Sequence, residues 1–180
     1  MTDPAAVVAD TRRWIEAVVL GLNLCPFARR PFEGNQIRYA VSWATDPTTL
    51  LTDLASQLEA LAAASAGEVE TTLLIHPHVL TDFLDYNDFL DAADGLVAEL
   101  DLDGVLQVAS FHPDYQFADS DQDDVENYTN RAPYPTLHLL REDSVSRAVA
   151  AFPEPEVIVE RNVETLRKLG VDGWKKLLED

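Results

Sequence analysis

Two short, nearly continuous apolar runs constrain the fold more than any other feature of the sequence. They are TTLLIH at residues 71–76 and GVLQVASFH at residues 104–112, and proline follows each of them. Such runs are typical of strands that are covered on both faces, and proline ends a strand because it has no amide hydrogen to donate. A segment with helical periodicity separates the two runs, which favours parallel strands joined by a right-handed crossover.

The remaining chain supplies two more strands and further helices. Residues 37–44 alternate as in a strand, and residues 136–142 form the last predicted strand; helices are predicted at 4–24, from Asp46, at 81–100, from Ser144, and from Pro155 to Gly170. We therefore expect one α/β domain over residues 1–180, with a four-stranded, mainly parallel or mixed sheet flanked by helices. The last strand is free to run antiparallel because a loop precedes it. The alternative architecture is a ferredoxin-like α+β sandwich.

The charge of the chain excludes several classes of partner. With 32 acidic and 13 basic side chains the formal net charge is -19, which would repel nucleic acid and anionic membrane surfaces. One cysteine cannot form an intramolecular disulfide, and no apolar run approaches the ~20 residues of a membrane span. The N-terminus has no basic segment before its apolar residues, unlike a signal peptide. These features predict a cytoplasmic protein with no nucleic-acid or membrane partner.

The two His-Pro dipeptides suggest a site at one edge of the sheet. If the two strands are parallel neighbours, His76 and His112 both reach the carboxyl edge, where open α/β sheets bind ligands. The alternative is that each imidazole only caps its own strand through a local hydrogen bond.

The segment NYTNRAPYPTLHLLRE at residues 127–142 is the second candidate for function. Pro133 and Pro135 stiffen the backbone around Tyr134. Arg131 and Arg141 offer guanidinium groups, which capture carboxylate or phosphate in a bidentate manner. The alternative is that these two arginines pair with internal acids such as Glu142 or Asp114.

The leading hypothesis is an enzyme that acts on a small anionic metabolite. His112 would be the general acid or base, because a histidine pKa lies near neutrality. The predicted catalytic residues are His112, Asp114 and Tyr115, and the predicted substrate-binding residues are His76, Asn130, Arg131, Tyr134 and Arg141. The residue pattern indicates no particular cofactor.

Two other hypotheses stay open. The first is a metal- or cofactor-binding module that uses Cys25, His76, His112 and His138, although their spacing forms no local ligand signature. Strand alternation favours a core role for His138, and Cys25 lies at the end of a helix, where the dipole does not favour a thiolate. The second is a non-catalytic interaction protein, which would expose aromatic side chains such as Tyr115, Phe117 and Tyr134.

Four segments resemble a bacterial family that is catalogued as domain of unknown function 1415. They are GLNLCPFA at 21–28, FHPDYQF at 111–117, NYTNRAPYPTLHLLRE at 127–142 and VERNVETLRKLG at 159–170. The resemblance covers most of the chain, and the family pattern has Ser at the position of Ala132. It implies a single domain of this length and brings no reaction, cofactor or catalytic residues. Asn162, a poor helix former, lies in the fourth segment and is interpreted as a cap or as a residue of the same pocket.

Overall fold

The computed structural model describes residues 2–152 and 154–179. The strands are β1 (Ile37–Val41), β2 (Thr71–Ile75), β3 (Leu106–Phe111) and β4 (Thr136–Arg141), and the helices are α1 (Pro4–Trp14), α2 (Arg29–Glu33), α3 (Pro47–Ala63), α4 (Phe83–Glu99), α5 (Glu142–Ala151) and α6 (Pro155–Lys176). A π-helical segment, Ile15–Leu20, continues α1, and a 3-10 turn lies at Val125–Thr129.

The four strands form one mixed sheet in the order β1-β2-β4-β3. Strand β1 is parallel to β2, whereas β4 is antiparallel to both β2 and β3. The predicted α/β class and mixed sheet are confirmed, including the antiparallel last strand. Strands β1, β2 and β3 therefore end at the same edge, which we call the carboxyl edge, and β4 begins there.

Helices cover both faces of the sheet, as the continuous apolar runs predict. One core joins α3 and α4 to side chains such as Leu74, Leu137 and Leu139. The other joins α1, the π-helical segment and α6 to Leu73 and Ile75 on the opposite face. Because β2 contributes to both cores, its five residues are all buried.

Local signals in the sequence fix where the helices begin. Asp46 precedes Pro47 and its carboxylate accepts the amide hydrogen of Thr49 at 2.9 Å. Asp82 caps α4 in the same way by accepting from the amides of Leu84 and Asp85. These side chains satisfy amide donors that have no partner within the helix.

The structure differs from the helix predictions in three places. The first helix does not run regularly to residue 24, because it widens into the π-helical segment and closes in a turn with Asn23 at φ 51°. Helix α2 was not predicted, since five residues give no periodicity. Gly170 interrupts the last helix with φ 70°, as predicted, but the helical segment continues on the far side to Lys176.

No helix within the described residues is both long and apolar enough to cross a membrane.

Candidate functional site

The carboxyl edge brings His76 and His112 together around one tyrosine. Each histidine directly follows its strand, and Tyr86 of α4 lies between them, with its ring centre 5.7 Å from that of His76 and 4.9 Å from that of His112. The side chains of all three residues are fully buried. The shared edge that the His-Pro dipeptides predict is therefore present, but the two strands are not neighbours, because β4 lies between β2 and β3.

Both imidazoles hold the loop that connects β2 to α4. His76 Nδ1 donates to the carbonyl of Val79 at 3.0 Å, and His112 Nε2 donates to the carbonyl of Leu80 at 3.1 Å. Leu80 has φ 56°, a conformation that branched side chains rarely adopt. The two hydrogen bonds stabilise this strained turn, which we call the 77–80 loop.

The environment keeps both histidines neutral. Burial lowers the pKa of His76 to about 4, and its Nε2 atom has no hydrogen-bond partner within the described chain. Burial also lowers the pKa of His112, while the Leu80 carbonyl and the carboxylates of Asp114 and Asp82 act in the opposite direction. His112 Nδ1 accepts the amide hydrogen of Asp114 at 3.0 Å, so both of its ring nitrogens are engaged.

Arg131 and Asn130 do meet the end of β3, but through the backbone. The amide of His112 donates to the carbonyl of Asn130 at 3.2 Å. Arg131 donates from Nε to the carbonyl of Tyr115 and from Nη2 to that of Gln122, at 3.1 and 2.8 Å. Its guanidinium carbon lies 4.3 Å from the centre of the Tyr128 ring. Arg131 forms no ion pair within residues 2–152 and 154–179. Its buried side chain stabilises the loop through these hydrogen bonds to backbone carbonyls.

The buried side chain of Asn127 forms hydrogen bonds with other residues of this loop. Asn127 Oδ1 accepts from the amide of Phe117 at 3.0 Å and from the hydroxyl of Ser120 at 2.7 Å. Its Nδ2 donates to the carbonyl of Asp121 at 2.8 Å. The sequence marks Asn127 as a polar residue of the loop but gives no sign that it is the centre of the hydrogen-bond network.

Arg141 does not belong to this site. In the antiparallel register Arg141 pairs with Leu106, whereas Thr136 pairs with Phe111, so Arg141 lies at the opposite edge of the sheet from His112. Its guanidinium donates to the carbonyls of Leu61, Ala64 and Val69, at and just beyond the end of α3. The prediction that Arg141 joins Arg131 in one pocket is corrected, because β4 crosses the sheet between Thr136 and Arg141.

Tyr134 is at the carboxyl edge but faces α1. Its hydroxyl donates to Asp10 Oδ2 at 2.7 Å, and burial together with this carboxylate raises the pKa of Tyr134 to about 12.

Asn162 donates from Nδ2 to the carbonyl of Leu24 at 2.7 Å. It therefore acts as a cap for the turn after the π-helical segment.

The metal hypothesis needs residues beyond His76 and His112, which meet around Tyr86. His138 lies in the middle of β4 and donates from Nε2 to the Thr71 hydroxyl at 2.8 Å, and burial lowers its pKa to about 4. Burial raises the pKa of the Cys25 thiol, which opposes thiolate formation. The described residues include no group of three or more His, Cys, Asp or Glu side chains that could hold a metal ion.

A groove of about 600 Å³ lies beside this edge, between α1 and β1, and the sequence does not reveal it. Its lining, which we call the α1–β1 groove, consists of Pro4, Ala5, Val8, Ala9, Arg12, Tyr39, Val41 and Trp43. Strand alternation predicts that Tyr39, Val41 and Trp43 share a face, and that face forms one wall. The opposite wall comes from α1, so no spacing within either segment could identify the groove.

Arg12 is the single charged residue among these lining residues. Its guanidinium carbon lies 5.3 Å from the Tyr39 ring centre and 5.4 Å from that of Phe32. Within the described chain the guanidinium forms neither an ion pair nor a hydrogen bond; the ion pairs there join Arg29 to Glu33, Arg167 to Glu126 and Lys168 to Glu164. Aromatic contacts hold the group in place and leave its donors free.

The groove and the histidine cluster are connected through the 77–80 loop. That loop carries His78, which is exposed and whose ring centre lies 5.3 Å from that of Trp43. Trp43 is 41% exposed, whereas Trp14 and Trp174 are 1% and 9% exposed. His76 and His112 thus position the loop that supports the exposed indole.

The family model described as "Protein of unknown function (DUF1415)" matches residues 6–176. No curated protein and no solved structure matches the chain.

Proposed function

The chain belongs to the family described as Protein of unknown function (DUF1415), whose description states no activity, and we propose from the geometry of the site that it binds a small anionic molecule in the α1–β1 groove. The site predicted from the sequence and this groove adjoin each other at the carboxyl edge. As in the hypothesis from the sequence, the proposed ligand is a small anion. The proposed binding group is now Arg12 and no longer Arg131 or Arg141.

The observation that carries the proposal is the guanidinium of Arg12. Nineteen more acids than bases are available in this chain, yet within the described residues Arg12 contacts two aromatic rings and no carboxylate. Arg131 and Arg141 instead direct their donors to backbone carbonyls. A guanidinium with free donors in a concave, mostly apolar surface is a typical anchor for a carboxylate or phosphate.

Catalysis by His112 with Asp114 and Tyr115 is a second candidate. It is favoured by the carboxylates of Asp82 and Asp114, which lie close enough to His112 to raise its pKa against the effect of burial. Proton transfer would require the imidazole to release the Leu80 carbonyl or the Asp114 amide. An NMR titration of the His112 ring tests this: a pKa between 5 and 7 that moves when an anion is added supports a catalytic role, and a ring that stays neutral throughout contradicts it.

Anion binding is tested by isothermal titration calorimetry of the whole chain with acetate, benzoate and inorganic phosphate. The variant Arg12→Gln removes the proposed anchor, and Arg13→Gln is the control, because it removes the same charge from the same helix outside the groove. A charge-assisted hydrogen bond contributes ~1.5–3 kcal/mol, so we expect at least one anion to bind about tenfold more weakly to Arg12→Gln than to the control. Equal affinities of the two variants for every anion would refute the proposal.

A further inference from the structure

We propose that the ligand of the α1–β1 groove is a planar aromatic carboxylate, with its carboxylate on Arg12 and its ring against Trp43. This inference rests on the proposed function and specifies the class of ligand. It is carried by three features of the groove: its single positive charge, its apolar walls and its exposed indole.

The charge of the groove fits a monoanion with one compact charged group. Arg12 is the only charged side chain among the lining residues. Phosphate groups are usually bound by several donors, such as helix N-terminal amides or more than one basic side chain. A carboxylate needs only the two parallel N–H donors that one guanidinium presents.

The walls of the groove fit a ligand with an apolar body. The α1 wall presents Pro4, Ala5, Val8 and Ala9, and the β1 wall adds Val41. The Tyr39 hydroxyl is buried and its pKa is raised mainly by burial, so it offers the ligand no exposed polar atom. A small, strongly hydrated anion would lose water at these walls and gain nothing in return, whereas an apolar ring would be removed from water.

The indole of Trp43 supplies a surface for a ring. Trp43 is 41% exposed, and His78 contacts it at 5.3 Å between ring centres. His76 and His112 fix the loop that carries His78 through hydrogen bonds of 3.0 and 3.1 Å. A supported aromatic surface loses little conformational freedom when it binds a ligand, and stacking adds to the burial of the ring.

The experiment compares four probes by calorimetry at equal ionic strength: benzoate, cyclohexanecarboxylate, acetate and benzamide. Cyclohexanecarboxylate keeps the charge and size without the planar ring, acetate keeps only the charge, and benzamide keeps only the ring. We expect benzoate to bind about 2- to 10-fold more tightly than cyclohexanecarboxylate, which is the range for one aromatic contact, and benzamide and acetate to bind more weakly than either.

The variants Trp43→Leu and Phe117→Leu separate the specific contact from a general loss of aromatic surface. Phe117 is also exposed, at 38%, but lies outside the lining of the groove. Trp43→Leu is expected to abolish the preference for benzoate, and Phe117→Leu to preserve it; circular dichroism confirms that both variants fold. Acrylamide quenching gives an independent measurement, because Trp43 is the exposed tryptophan and bound benzoate should protect it.

The outcomes distinguish this inference from the proposed function. Equal affinity for benzoate and cyclohexanecarboxylate, or a preference for phosphate, would overturn the aromatic carboxylate while Arg12-dependent anion binding survives. Binding of benzoate that is insensitive to both Arg12→Gln and Trp43→Leu would overturn both proposals. Failure of all four probes and of phosphate to bind would also overturn both.

Discussion

Lowering the pH from 7.5 to 5 should destabilise the protein through its buried histidines. Burial holds the pKa of His76 at about 4, against ~6.5 in the unfolded chain. Above pH 6.5 both states are neutral and the full stability is present. As the pH falls below 6.5 the unfolded state binds the proton first, so the free energy of unfolding decreases until the folded state is protonated near pH 4.

The expected magnitude follows from these two pKa values. At pH 5 the difference in proton binding at His76 lowers the free energy of unfolding by about 2 kcal/mol. His138 also has a pKa of about 4, but part of its surface is accessible, so about 2 kcal/mol is the upper bound of its contribution. The sum is a substantial share of the ~5–15 kcal/mol by which domains are stable.

The measurement is urea denaturation at several pH values between 7.5 and 5, in about 0.5 M salt to screen repulsion among the acidic side chains. His76→Asn keeps a donor near the position of Nδ1 and removes the titrating ring. This substitution should lower the slope of the unfolding free energy against pH, because the proton that the unfolded chain binds at His76 no longer contributes to that slope. His78→Asn, in the same loop but at an exposed position, is the control variant. A free energy of unfolding that is constant from pH 7.5 to 5, or equal slopes in the two variants, would refute the reasoning.

Three further substitutions test contacts elsewhere in the fold. Asn127→Ala should cost roughly 2–3 kcal/mol by urea denaturation, because it leaves buried partners unsatisfied; Asp123→Ala, at an exposed position of the same loop, should have little effect. Arg141→Met should cost ~1–3 kcal/mol through the unpaired carbonyls that follow α3, and an unchanged affinity for benzoate would agree with its place at the opposite edge. Asp101→Gly should raise the melting temperature, since φ is 56° there and glycine removes ~1 kcal/mol of strain; a melting temperature below that of Asp103→Gly would contradict this.

The architecture was predictable because its four strands and its longer helices depend on local pattern. Periodicity located the strands, and Asp46-Pro47 marked the start of α3. The His-Pro dipeptides marked the carboxyl edge correctly, since a proline after a strand acts on the neighbouring residue alone. The connection before β4 contains no regular crossover helix, and that sufficed to anticipate an antiparallel strand.

The residues that meet across the fold were less predictable. Arg131 precedes β4 and Arg141 is the last of its six residues, so the two arginines must lie toward opposite edges of the sheet whichever way the strand runs. The antiparallel direction decides that Arg131 is the one at the edge of His112. The site hypothesis grouped them by closeness in sequence and therefore failed for Arg141. Arg12 lies in α1 and Trp43 lies two residues after β1, so they are 31 positions apart in sequence, and only packing of α1 on β1 makes them neighbours.

The many polar side chains between residues 111 and 142 have a physical reason that requires no ligand. An irregular segment leaves its backbone amides and carbonyls without the regular partners of a helix or sheet, and buried ones must be paired. Asn127 and Arg131 pair with the carbonyls of Asp121, Tyr115 and Gln122. These donors are already engaged by the backbone of the same loop. The many polar residues there are therefore explained by the need to pair buried backbone groups. The Arg12 guanidinium has no such backbone partners within the described chain, and we propose that a ligand in the concave apolar groove is the partner of its donors.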